Sequence, residues 1–177
     1  DKYLKLPPET VITPMREHQR YFPVKAADGS LMPMFITVRN GGKEHLEIVQ
    51  HGNERVLRAR LADAQFFFEE DCKVKLIDRL EKLKTIVFQE GLGTIYDKAE
   101  RLAKLSAFLV KHTGVDQSAL VTIERGAKLA KTDLVTGMVC EFTELQGIMG
   151  REYALLNGET KEVSQAIYEH YLPRFAG

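Results

Sequence analysis

KEHLEIVQHGNERVLRARLADAQFFF, residues 43–68, decides how the chain folds. Apolar side chains recur there at three- and four-residue intervals, at Leu46, Val49, Val56, Leu57, Leu61, Ala64, Phe67 and Phe68. That spacing matches the 3.6-residue period of an amphipathic helix. Gly52-Asn53 is a candidate junction inside it. Downstream the same period returns. Leu76 to Gln89 reads as a second helix, with Leu76, Leu80, Leu83 and Val87 on one stripe. Gly91 and Gly93 read as a turn between helices. Thr94 is placed to cap the next helix, which runs through Ala99, Leu102, Leu105 and Leu109 to a stop at Gly114. Asp116 is placed to cap another, through Leu120, Ile123 and Leu129 into Leu134, Val135 and Val139. Two shorter helices follow, over about 143–156 and 159–171, closed by Asn157-Gly158 and by Pro173.

Upstream the character differs. Residues 1–42 hold five of the six prolines: Pro7, Pro8, Pro14, Pro23 and Pro33. Tyr21 to Lys25, the turn signal Asp28-Gly29 and Leu31 to Arg39 read as a β-hairpin. Phe35-Ile36-Thr37-Val38 has the residue types of a buried strand, and Asn40-Gly41-Gly42 breaks the chain. The predicted fold is mainly α: a short β-hairpin segment over 1–42, then a helical bundle over 43–177. The last helix ends without an obvious partner, so the bundle reads as truncated. The chain starts without Met and stops bluntly, which reads as an excised piece.

Composition narrows the function. Lys and Arg number 25 and Asp and Glu 25, so global charge does not mark a nucleic-acid binder. Any RNA contact must come from a local basic patch. The densest basic stretch is Asn53 to Arg60, which carries Arg55, Arg58 and Arg60. On a helix Arg55 and Arg58 are neighbours, whereas Arg60 points elsewhere. Arginines so placed can hold phosphates; they can equally pair with Glu54, Asp63 and Glu69. Glu69-Glu70-Asp71 reads as a solvated helix end. Cys72 and Cys140 sit in no zinc spacing and read as reduced thiols. The five histidines form no HExxH, and no P-loop, GxGxxG or GxSxG occurs. Gly147-Ile148-Met149-Gly150 reads as close helix packing. No signal peptide or membrane span is predicted. The residues alone favour a binding or structural module over an enzyme, with no catalytic and no metal residues.

Several segments resemble one family. They are His18 to Val24 with Asp28-Gly29 and Phe35 to Asn40; Gly52 to Leu61 with Asp63-Ala64 and Phe67-Phe68; and Asp78-Arg79-Leu80. Val87-Phe88-Gln89 with Leu92-Gly93-Thr94, Lys131 to Leu134, Glu144 to Gly150 and His170 to Gly177 continue them in order. Together they resemble the central part of the β subunit of bacterial-type two-subunit glycyl-tRNA synthetase. The resemblance implies a cytoplasmic enzyme that joins glycine to its tRNA with ATP and Mg2+. It places the glycine and ATP site in the α subunit, and gives the β subunit a grip on the tRNA. It also implies that 1–42 ends a β-rich domain and that 43–177 is an HD-type helical domain. Active HD domains hold metal through a His-Asp pair, and the matching position here reads Thr132-Asp133. Phosphohydrolase activity is therefore not predicted, and Asp133 is expected to cap a helix or pair with a cation. Glu152 stands where the family leads one to expect an aromatic, beside Arg151. The implied roles are to hold the tRNA through Arg55, Arg58 and Arg60, to position the α subunit, or to act as a spacer. A metal-dependent HD phosphohydrolase is the rival of a different class.

Overall fold

The computed structural model describes residues 2–174. It is mainly helical, with one antiparallel hairpin near its start and a second, shorter one further on. The chain forms two compact units, the first reaching Glu69 and the second starting at Glu70.

In the first unit the prolines hide helix rather than strand. A 3-10 turn over Lys2–Lys5 precedes α1, Pro8–Thr13, which has proline where a helix start has no N–H to lose. A π-turn over Pro14–His18 follows. Strands β1, Phe22–Lys25, and β2, Leu31–Ile36, then pair antiparallel with Phe22 opposite Ile36 and Pro23 opposite Phe35. Asp28 Oδ1 accepts from the Ser30 amide at 2.9 Å and from its hydroxyl at 2.7 Å, and Gly29 takes φ 86°. The expected hairpin is there, but the expected buried strand over 35–38 is not. The strand stops at Ile36, and Ile36 and Val38 are exposed. A two-stranded ribbon has one covered face: Phe35 turns onto Tyr21 with ring centroids 5.0 Å apart, and its neighbours point the other way.

Helix α2, Leu46–Asp71, runs unbroken through Gly52, so that glycine marks no junction. Residues around it favour helix strongly enough to absorb its cost of about 1 kcal/mol. Gln50–Glu54 and Gln65–Glu69 side-chain bonds at 2.8 and 2.7 Å join successive turns. Leu57 and Leu61 enter a core with Leu6, Val11, Met15 and Tyr21. Secondary structure changes near residue 43, but packing divides the chain inside α2 because those two leucines belong to the first unit's core.

In the second unit Leu76 to Gln89 is not one helix. A 3-10 segment spans Ile77–Thr85, and β3, Val87–Gln89, pairs with β4, Gly93–Thr94. Leucines at three- and four-residue spacing suit either helix type, whereas Val87 and Phe88 favour extended backbone. Gly91 and Gly93, at φ 77° and 80°, turn a hairpin instead of joining helices. Helix α3, Ile95–His112, begins in a capping box between Thr94 and Asp97. After Asp116 caps a 3-10 turn, α4 covers Leu120–Leu129. The expected continuation to Val139 is broken: a 3-10 turn covers Thr132–Val135 and α5 covers Gly137–Glu141. Thr132 and Thr136 hydroxyls donate to the Leu129 and Asp133 carbonyls at 2.7 and 2.6 Å, and Thr136 then caps α5. Helices α6, Ile148–Leu156, and α7, Lys161–Glu169, pack on each other, and α7 also packs on α4. Gly150 permits the first contact, since a Cβ there would lie 2.7 Å from Ile167 Cγ2. Phe142, Leu76, Leu83, Leu129, Met149 and Ile167 are among the fully buried side chains.

Candidate nucleic-acid interface

Helix α2 sorts its arginines by angle. With 3.6 residues per turn, Arg58 lies about 60° from Arg55 around the axis, whereas Arg60 lies about 140° away. The structure follows this: Arg55 and Arg58 are exposed, and Arg60 is half-buried and engaged with a neighbour. Among the described residues no ion pair ties the Arg55 or Arg58 guanidinium, so Glu54 and Asp63 do not neutralise them. The same exposed face carries His51, Ala59, Ala62 and Phe66. Phe66 follows Arg55 by three turns, about 20° off its direction, and is 57% exposed. Arginines, small side chains and an open aromatic ring thus share one ridge. Sequence reasoning counted the arginines and missed Phe66; the eleven-residue spacing from Arg55 was the signal that places them together. Between β2 and the first half of α2 lies an open groove of about 710 Å³, lined by Met34, Phe35, Arg39, Leu46, Val49 and Asn53 among others.

The buried carboxylates are structural. Asp71, expected at a solvated helix end, is buried, while Glu69 and Glu70 are exposed. Its oxygens accept from the Gly137 and Met138 amides at 2.8 Å each, and from the Tyr153 hydroxyl at 3.0 Å. Arg79, itself buried, lies 3.3 Å away. The carboxylate therefore caps α5 and neutralises a buried guanidinium. Burial first, and then Asp71, push the Tyr153 phenol far up, so it stays a donor. Asp133 Oδ2 accepts from the Gly147 amide, the N-cap of α6, at 2.5 Å. Burial raises its pKa to about 6 against that hydrogen bond and the nearby Lys131. Lys131 lies over the Tyr171 ring at 3.8 Å, and its own pKa is lowered to about 8, chiefly by burial. Thr132 is buried with its hydroxyl on the Leu129 carbonyl. Among the described residues no three His, Cys, Asp or Glu side chains converge as metal ligands. Arg151 pairs with Glu152 at 2.9 Å and packs over Tyr168, so its charge is already answered.

The family model for the glycyl-tRNA synthetase beta subunit matches residues 1–177. The chain belongs to that family. It is 61% identical over 175 residues to the glycine–tRNA ligase beta subunit of Clostridioides difficile, covering 99% of this chain and 25% of that protein. It is 58% identical over 177 residues to the Desulforamulus reducens beta subunit, covering 100% of this chain and 26% of that protein. The chain therefore spans about a quarter of the length of the curated relatives it matches. Asp71 and Asp133 hold helices together through the amides at the starts of α5 and α6. No helix among the described residues is long and apolar enough to cross a membrane.

Proposed function

We propose that this part of the β subunit holds tRNA for glycine against the enzyme and takes no part in the chemistry itself. Arg55 and Arg58 grip backbone phosphates and Phe66 offers a ring to a base; Arg60 supports the patch from the side. The observation that carries this reading is the pair of exposed arginines without ion-pair partners among the described residues, on one ridge with an open phenylalanine. In this reading glycine activation with ATP and Mg2+ falls to the α subunit, and the assembly works in the cytoplasm. Positioning of the α subunit is the companion role.

The test is tRNA binding by the complete enzyme at several salt concentrations, with Arg55→Ala/Arg58→Ala alongside. Each lost phosphate contact is expected to flatten the log–log salt slope by about 0.7–0.9 and to weaken binding at low salt. Unchanged affinity and slope in the double variant, with normal stability, would remove these arginines from the interface.

A further inference from the structure

Helix α3 presents a second ridge that the RNA reading leaves unused. Taking Leu105 as the reference direction, Lys98, Arg101, Phe108, Leu109 and His112 all fall within about 60° of it. The buried residues Ala99 and Val110 lie on the opposite side of the helix. Leu105, Phe108 and Leu109 are 54%, 55% and 47% exposed, and Phe108 stacks on His112 with centroids 4.1 Å apart. The link after His112 returns the chain so that α4 packs on α3, which leaves the Leu105 side of α3 open. Large side chains clustered at i, i+3 and i+4 on one outer face are not the scattered exposure of an ordinary surface. Cations rim them: Arg101 and Lys104 are exposed and Lys98 is half-buried. Two acidic side chains lie at the helix start: Asp97 accepts from the Thr94 amide and hydroxyl, and Glu100 lies about 140° from Leu105, away from the ridge.

We infer that this ridge is the seat of an acidic amphipathic helix supplied by the rest of the same β subunit. Its form suits a helix, because a row at i, i+3, i+4 and i+7 from Leu105 to His112, about two turns, fits the groove of another helix. Its rim selects acidic flanks. A second copy of the chain fails on the same ground, since a symmetric contact would set one cationic rim against another. The occupant's origin follows from length: about three quarters of the relatives' length lies outside this chain. A tethered segment meets the ridge at an effective concentration no free partner reaches.

Cysteine labelling of the full-length β subunit tests this. Leu109→Cys is introduced into a subunit without other cysteines, with His112→Cys as a second reporter should the first fold poorly. Maleimide reaction is compared between the native and the urea-unfolded subunit. Protection of about tenfold or more in the β subunit alone is expected, independent of its concentration. It should be lost when Leu105→Glu and Phe108→Glu are added, with circular dichroism unchanged. Labelling at the unfolded rate in the subunit and in the assembled enzyme would overturn the inference. So would protection that appears only when the α subunit is added, or only at high β concentration, because each names a different occupant. None of these outcomes depends on tRNA.

Discussion

Two aspartates show how much a single buried carboxylate settles. Asp71 sits third in an acidic run, and nothing in the local pattern separates it from Glu69 and Glu70. Its partners, Arg79, the adjacent Gly137 and Met138, and Tyr153, come from three other places in the chain. That is why its role was illegible in sequence, while the cap role of Asp133 was anticipated. Asp71→Ala leaves Arg79 buried without its counter-charge and strips two amides of their acceptor. A loss of about 3–5 kcal/mol is expected, read by urea denaturation; a loss below about 1 kcal/mol, within the range of exposed pairs, would mean the pair is solvated. Asp133 and His170 make a second prediction, in pH. Burial raises Asp133 to about 6, so the folded chain keeps a proton that the unfolded chain releases above its ordinary value of 3.8. Its contribution is fully present at low pH and lost as pH rises through about 6. His170 donates from Nδ1 to the Ile167 carbonyl at 2.6 Å, and burial first, then Lys131, lower it to about 4. The unfolded chain then binds the extra proton below 6.5, so that contribution is lost as pH falls towards 4. The two slopes oppose each other, each worth up to about 3 kcal/mol at 1.36 kcal/mol per unit. Relative to wild type, Asp133→Asn should make stability rise more steeply from pH 4 to 6, and His170→Gln should make it fall. Parallel melting curves for all three across that window would refute both assignments. Lys131, Tyr171 and Arg174 face this pair and remain in both variants.

At the scale of elements, helices with strong edges were legible and those made by tertiary partners were not. Thr94, Asp116 and Gly114 bound α3 and its successor where capping chemistry places them. The break between α4 and α5 depends on threonine hydroxyls turning back onto carbonyls, and leucine periodicity runs through it unaltered. Val87-Phe88-Gln89 shows the converse, a run counted into a helix by one valine and claimed for a strand by its own residue types. In α2 periodicity prevailed over a glycine. A Cβ on Gly52 would meet nothing within 4 Å, and the backbone there is helical. Gly52→Ala should therefore stabilise the chain by about 0.5–1 kcal/mol through the lost freedom of the unfolded state. Thermal denaturation measures this, and a destabilised variant would show that the exposed face at Gly52 is covered.

For the whole molecule, the sequence showed the mainly α class and the hairpin ahead of the helices, but not where packing divides them. The boundary at 42/43 follows secondary structure; the division after Glu69 follows which leucines meet. Leu57 and Leu61 join Val11, Met15 and Tyr21, so the first unit owns a core built from α1, the hairpin and most of α2. The second unit has its own fully buried set around Leu83, Leu129, Phe142 and Ile167. Separate cores imply separable openings. All of Asp71's hydrogen-bonding partners lie after Glu70, so its loss should act on the second set. In Asp71→Asn, amide exchange in α3 to α7 should quicken by a common factor. Exchange at Tyr21, whose amide donates to Met15 at 2.9 Å, and through residues 57–64 should stay within about threefold of wild type, a shift of some 0.6 kcal/mol at RT of 0.59. Equal acceleration in both sets would mean that the cores open as one, and the division at Glu69 would then describe geometry without describing cooperativity.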